Sequence, residues 1–232
     1  MANLTQLKML EDLNGFLLVD KPAGIAFSTV VKTVKRKFNL VKVGHGGSLD
    51  AMASGLFILL INDANKFVGD VMGADRAYTG TMRLGLRTNT HDVHGETIES
   101  AKDRIAESLA EGGIAKTLPE FKGDIFQTEP RFCSIRKEGT AEYEVVDTGE
   151  HKQFLAHVYR FDVKDDGTFE LKASKGVIVR ALAQDMGATL TSLRRTKIGK
   201  FDVKDAVPFD KLLTIEMKDF ASCVMPLSKA LL

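Results

Sequence analysis

An α+β fold, with a mixed, mostly antiparallel sheet flanked by helices, is what this sequence predicts. Two observations carry the expectation. Segments with the two-residue alternation of strands predominate, and the helical segments fall between them without the regular period of a parallel βαβ array. Length and composition set the frame: 232 residues, 44% hydrophobic and 27% charged, suffice for a real core and exclude a disordered, collagenous or coiled-coil chain. On length alone this is one large domain or two small ones.

The elements follow in order. Gly15 to Asp20 (GFLLVD) is a short apolar run closed by Lys21-Pro22, and reads as a buried strand. Ser28 to Phe38 has a serine at the N-cap, Val31, Val34 and Phe38 on the apolar side, and Lys32, Lys35 and Arg36 on a cationic face. A merely solvated face is the ordinary alternative for those lysines. Leu56 to Ile61 is the longest apolar run, a strand candidate far short of the ~20 residues of a membrane span. From Tyr78 to Leu86, Tyr78, Met82, Leu84 and Leu86 alternate with Thr79, Thr81, Arg83 and Arg87. Residues 98–111 have helical spacing, with Ile105 and Leu109 one turn apart. Tyr159, Phe161 and Val163 alternate with Arg160, Asp162 and Lys164 as a half-exposed strand. Val179 to Leu190 reads as a helix with Val179, Leu182, Ala183 and Met186 inward, and Pro208 to Leu213 as a proline-initiated helix.

Cys133 and Cys223 cannot build a disulfide framework, no Cys/His cluster has zinc spacing, and the N-terminus lacks a secretory layout. The expected setting is a reducing cytoplasm, with no metal and no membrane. Chemistry concentrates in two segments. Gly44-His45-Gly46-Gly47-Ser48-Leu49-Asp50 holds three glycines that let backbone approach a ligand, but lacks the Gly-Lys-Ser/Thr of a phosphate-binding loop. Asp50, just before an apolar strand, is a candidate catalytic carboxylate, with a turn or cap role as the alternative, and His45 could be an ordinary loop histidine. In Ser174 to Arg180, an arginine in the first turn of a helix sits against the positive end of the dipole. It calls for an anionic partner, whether a ligand or a structural carboxylate.

Taken in order, these segments resemble the TruB family of tRNA pseudouridine synthases. Gly15 to Gly24 (GFLLVDKPAG) is similar to the family's first motif, and residues 42–55 (KVGHGGSLDAMASG) to its catalytic GHTGTLDPxAxG. Asn65-Lys66, Arg76-Ala77-Tyr78 and Gly85 to Gly95 (GLRTNTHDVHG) follow in register. Gln127 to Gly149 resembles the RNA-gripping QxPPxYSAxKxxGxxxYexAR, residues 174–180 the SKGTYIR segment, and Leu193-Arg194-Arg195 the following LRR. The resemblance implies a pseudouridine-synthase fold and isomerisation of uridine at position 55 in the T loop of tRNA by base flipping. It implies Asp50 as the essential carboxylate, Arg180 as its ion-pair partner, and Tyr78 as the residue that stacks on the extruded base and moves a proton. It places His45, Lys21, Lys66, Lys175, Leu193, Arg194 and Arg195 toward the RNA, with His45 in the space vacated by the flipped nucleotide. It implies no cofactor, no obligate protein partner and a monomer. Residues 1–232 are then a single catalytic domain with an RNA-gripping insertion about 121–150, and the C-terminal PUA domain is absent.

The departures are Ala26-Phe27 for Thr-Ser or Ser-Ser, Gly46 for threonine, Ala51 for proline, Glu129 for proline, Val177 for threonine and Ile178 for tyrosine. The segment from Gly187 to Leu193 is also short. A glycine at 46 and the missing proline at 51 are expected to loosen the loop beside Asp50. They motivate a rival, a tRNA-binding or tRNA-folding protein of the same fold with weak or no catalysis. A glycosidase would need a second cooperating acid, which these motifs do not supply. The 32 basic and 31 acidic residues are segregated: Lys32, Lys35, Arg36, Lys37 and Lys42 fall in an acid-free stretch, and Lys175, Arg180, Arg194, Arg195, Lys197 and Lys200 face only Asp185. One basic face is expected.

Overall fold

The computed structural model describes residues 13–100, 118–128, 132–137, 140–145 and 153–230. In chain order the elements are β1 (Gly15–Lys21), α1 (Phe27–Lys37), β2 (Val43–His45), β3 (Ser54–Ile61), α2 (Val68–Gly73), β4 (Arg76–Leu84), β5 (Leu86–Thr88), β6 (Thr97–Ser100) and β7 (Gly123–Thr128). Then come β8 (Phe132–Lys137), β9 (Thr140–Val145), β10 (Gln153–Val163), β11 (Thr168–Ala173), α3 (Val179–Asp185) and β12 (Ala188–Ile198). The last are β13 (Phe201–Asp202), β14 (Val207–Pro208), α4 (Phe209–Thr214), α5 (Met217–Phe220), β15 (Met225–Pro226) and α6 (Leu227–Ala230). β1 pairs parallel with β14, whereas β1–β3, β1–β15, β2–β3, β4–β11, β7–β10, β10–β11, β12–β13, β5–β6 and β8–β9 are antiparallel, so the α+β, mostly antiparallel expectation holds. Among the described residues, no helix is long and apolar enough to cross a membrane.

Two compact units divide the chain. One comprises Met1–Ala74 and Arg195–Leu232, the other Asp75–Arg194. In the first, β3 is buried on both faces and pairs with β1 from Gly15↔Ile61 to Lys21↔Gly55. A strand of this kind reads as an unbroken apolar run because neither face meets water. Phe16, Leu18, Leu56, Ile58 and Leu60 fill one side with Ala64, Val71 and Ile198. The alternate residues, such as Phe57, face α1, whose Phe27 ring lies 6.0 Å from that of Phe57. The N-cap of this helix falls two residues before the Ser28 that the sequence suggests. Its N-cap is Ala26, without a side-chain cap bond, and Val30 rather than Val31 joins Val34 in the core. Burying Phe27 at about 2 kcal/mol outweighs the ~1 kcal/mol that a Ser28 cap would return.

In the second unit β4, β11, β10 and β7 are neighbours in that order. Tyr78 and Met82 point inward as the alternation predicts, and Tyr78 is in register with Leu171. On β10 the alternation breaks. A bulge between Val158 and Arg160 resets the face, so Val158 and Phe161 are buried while Tyr159 is turned out. The helix expected to run to Leu190 stops at Asp185. Gly187 adopts φ 70°, donates to the Gln184 carbonyl, and releases Ala188 into β12. Thr97–Ser100 is a strand where a helix from residue 98 is expected, and the rest of that segment, from 101, lies outside the described residues. Within 121–150, β8 and β9 form an antiparallel hairpin from Phe132↔Val145 to Lys137↔Thr140.

Candidate active site

The Asp50 loop belongs to the first unit and is fastened at several points. Val43–His45 pairs with β3, placing His45 opposite Leu59, and the next amide, Gly46, donates to the Ile58 carbonyl at 2.9 Å. The His45 ring packs between Phe27 at 5.1 Å and Phe57 at 5.8 Å, and its Nδ1 accepts from the Gly47 amide at 3.3 Å. An accepting Nδ1 fixes the neutral tautomer with its proton on Nε2. Gly46 does not loosen this loop. A Cβ there would stand 2.3 Å from Val71 Cγ1, so the glycine lets the loop press against α2 more closely than threonine allows.

Two buried cations grip the backbone on either side of Asp50. Lys21 is completely buried, and its ammonium donates to the carbonyls of Pro22 at 2.8 Å, Ile25 at 2.8 Å and Ala51 at 3.3 Å. The Ala51 carbonyl also accepts from the Gly24 amide at 2.7 Å, tying the turn after β1 to the residue following Asp50. Arg195, only 2% exposed, donates through Nε to the Leu56 carbonyl at 2.8 Å and through Nη1 to the Ser48 carbonyl at 2.9 Å. Burial pushes the Lys21 ammonium down from 10.5 to about 8, with nearby Asp50 working against that shift and Arg195 adding to it. Lys21 and Arg195, which the resemblance places toward the RNA, are thus buried in this structure. Their charges are turned inward, onto backbone carbonyls on either side of Asp50.

The second unit holds the other residues the resemblance assigns to chemistry. Tyr78 is buried on β4, and Arg180, 3% exposed in the first turn of α3, donates through Nη1 to the Thr90 carbonyl at 2.9 Å. That carbonyl belongs to a tightly organised loop. The buried Asp92 carboxylate accepts from Thr90 Oγ1 and the His94 amide, both at 2.9 Å. Its own carbonyl accepts from Thr88 Oγ1 at 2.8 Å. The loop is sewn to β12 by Val93 donating to Leu190 and Leu190 donating to His91. Burial first, then Arg180 and Arg87, lower His91 from 6.5 to about 4, so it stays neutral beside two guanidiniums. Gln127 is fully buried on β7, and its side-chain amide both donates to and accepts from the Ile178 backbone, at 3.1 and 3.0 Å. It thereby braces the residue two before Arg180. None of Thr90, His91, Asp92 or Gln127 stands out in the sequence as a site residue. The available signals are the Thr-x-Asp spacing of a side-chain-capped turn and a polar residue at an inward strand position.

The remaining candidates divide by exposure. Lys175 is exposed on the turn after β11 and Arg194 is half-buried. Leu193, which the resemblance places toward the RNA, is buried on β12 at 6% exposure. Lys66 lies on the surface 3.1 Å from Asp63, an exposed i,i+3 pair of the kind worth about 0–1 kcal/mol. Its neighbour Asn65 has the structural task, donating to the carbonyls of Leu60 at 3.0 Å and Asn62 at 2.9 Å.

Residues 35–178 match the family described as TruB family pseudouridylate synthase (N terminal domain). The tRNA pseudouridine synthase B of Corynebacterium diphtheriae is 34% identical over 216 residues, covering 86% of this chain and 72% of that protein. The tRNA pseudouridine synthase B of Burkholderia pseudomallei is 35% identical over 213 residues, covering 86% and 69%. Among solved structures, a chain of a Cbf5-Nop10-Gar1 complex superposes with a TM-score of 0.67 at 24% identity. That match takes in 97% of this chain but only 63% of the other, and the likeness is one of fold. With the Asp50 loop inside the matched span and 34–35% identity to these synthases over the aligned residues, the chain belongs to the TruB family of pseudouridylate synthases.

Proposed function

We propose that this chain isomerises uridine to pseudouridine in tRNA, at position 55 of the T loop, in the cytoplasm. The reaction breaks the N1–C1′ bond, turns the uracil, and joins C5 to C1′. The proton lost from C5 is balanced by one gained at N1, so the conversion is redox-neutral and consumes no second substrate. A target uridine leaves its stack before its glycosidic bond can be reached, and a rigid site lowers the cost of holding it there. In this reading Asp50 is the essential carboxylate, Tyr78 stacks on the base and moves the C5 proton, and Arg180 supplies the cation. His45, Lys175 and Arg194 meet the RNA, and Lys66 supports them electrostatically.

The observation that carries the proposal is the clamp on the Asp50 loop. Lys21 on the Ala51 carbonyl and Arg195 on the Ser48 carbonyl fix the backbone on both sides of one carboxylate-bearing residue. Such a pair of buried cations is far more than a turn aspartate needs, and it is what preorganised catalysis by a single acid requires. The test is incubation with unmodified tRNA followed by mapping of pseudouridine. Product at position 55 is expected with the native chain, and Asp50→Asn is expected to lower its rate at least ~10³-fold with tRNA affinity kept. Binding without product at stoichiometric protein would replace this reading with that of a tRNA-binding protein.

A further inference from the structure

We propose that the exposed face of α1 is an anchoring ridge for the phosphate backbone of a double-helical RNA stem, distinct from the loop that carries Asp50. The inference rests on the reading of the chain as an RNA-modifying enzyme and adds a partner surface to it. Lys32, Lys35 and Arg36 are all exposed and stand at i, i+3 and i+4, hence on one side of the helix. Like charges at these spacings repel and weaken a helix. The sequence from Lys21 to Leu49 contains no acid, and among the described residues no ion pair takes any of the three.

The helix dipole favours cations in the last turn, which accounts for Lys35, Arg36 and Lys37 but not for Lys32 in the middle. Lys37 has a structural use, donating to the Leu213 carbonyl, which leaves the other three facing outward. On the adjoining α4, the Asp210 carboxylate accepts from the Lys211 amide. The base under the ridge is rigid. Val30, Val34 and Phe38 are at most 1% exposed, and the Phe38 ring stacks on Phe220 at 3.7 Å. A fixed row of exposed cations on a packed helix matches the regular anionic edge of a duplex.

Its position relative to the Asp50 loop sets the occupant. The helix begins at Phe27, against the His45 ring, and the preceding turn is bonded to Ala51. From Phe27 to Arg36 the helix rises about 14 Å, on the order of four base-pair steps. The cations thus lie on the helix that leads away from the Asp50 loop, the direction the proposal assigns to the stem of a loop nucleotide seated there.

The experiment compares the native chain with a Lys32→Gln/Lys35→Gln/Arg36→Gln variant, and with Lys204→Gln/Lys218→Gln/Lys229→Gln as a charge control. Fluorescence anisotropy across a salt series reads binding of an RNA hairpin and of its loop sequence without the stem. The ridge variant is expected to bind the hairpin about 10-fold more weakly, with the slope of log K against log salt reduced by about 2, and the unstemmed loop nearly as before. Unchanged hairpin affinity and slope in a variant with native Tm overturns the ridge, as does an equal loss in the control or on the unstemmed loop. If the triple variant unfolds, Lys32→Gln alone is read the same way, with about one unit of slope at stake. Absence of pseudouridine from the native chain with the slope difference intact defeats the functional reading and spares the ridge. Product formation with no slope difference does the reverse.

Discussion

Lys21 shows how a buried charge can hold a loop from within. A buried ammonium is costly unless its protons are taken up, and here three carbonyls take them, one of them on the residue after Asp50. Because its native value is about 8 against 10.5 in the unfolded chain, the unfolded state holds the extra proton between those pH values. For this group alone, stability rises with pH across that window. Activity runs the other way: the neutral amine has two donors for three carbonyls and no charge beside Asp50. Single-turnover pseudouridine formation should fall as pH rises through about 8, and in Lys21→Arg, which keeps its charge, that limb should move upward. A rate that stays flat to pH 10 in the native chain would remove Lys21 from this role.

At the scale of elements, Gly46 makes the sharpest claim. Restoring the family's threonine by Gly46→Thr puts a Cβ 2.3 Å from Val71 Cγ1 and should destabilise the protein by about 1–3 kcal/mol, read as a lower Tm or urea midpoint. Enlarging the neighbouring space with Val71→Ala should recover part of that loss in the double variant. The same case shows where sequence stops informing. The residue type at 46 is visible, but whether glycine loosens or tightens a loop depends on what stands across from its missing Cβ, here a helix some twenty-five residues further on. β1, β3 and β4 are legible because burial on one or both faces dictates their apolar pattern. The bulge at Tyr159 is not, since one extra residue reverses the faces without altering composition. The end of α3 is marked by Gly187, yet the apolar residues after it suit a helix and a strand equally.

For the whole molecule, the near balance of 32 cations and 31 acids says little until the charges are placed. Asp50 and the ridge of α1 were legible as a carboxylate and a cationic face. The inward turn of Lys21 and Arg195 was not, because a basic residue in a sequence carries no sign of where its charge ends up. Affinity for tRNA should fall steeply with added salt, by about 10-fold or more over a fourfold rise, despite a net charge of only +1. Filter binding at several salt concentrations checks this, and a salt-independent Kd would mean that phosphates contribute little.

The split ownership of β12 bears on how the protein is made. Asp75–Arg194 is one continuous stretch, whereas the unit carrying Asp50 needs both Met1–Ala74 and Arg195–Leu232. Strand β1, near the start, finds its partners β14 and β15 close to the other end, so its pairings close the longest loops in the chain. The Asp50 loop leaves the ribosome early, but the guanidinium that holds Ser48 arrives only with Arg195. A nascent chain thus carries Asp50 with only the Lys21 side of the clamp in reach through most of synthesis, and the Ser48 side closes late, with the residue that begins the second half of that unit.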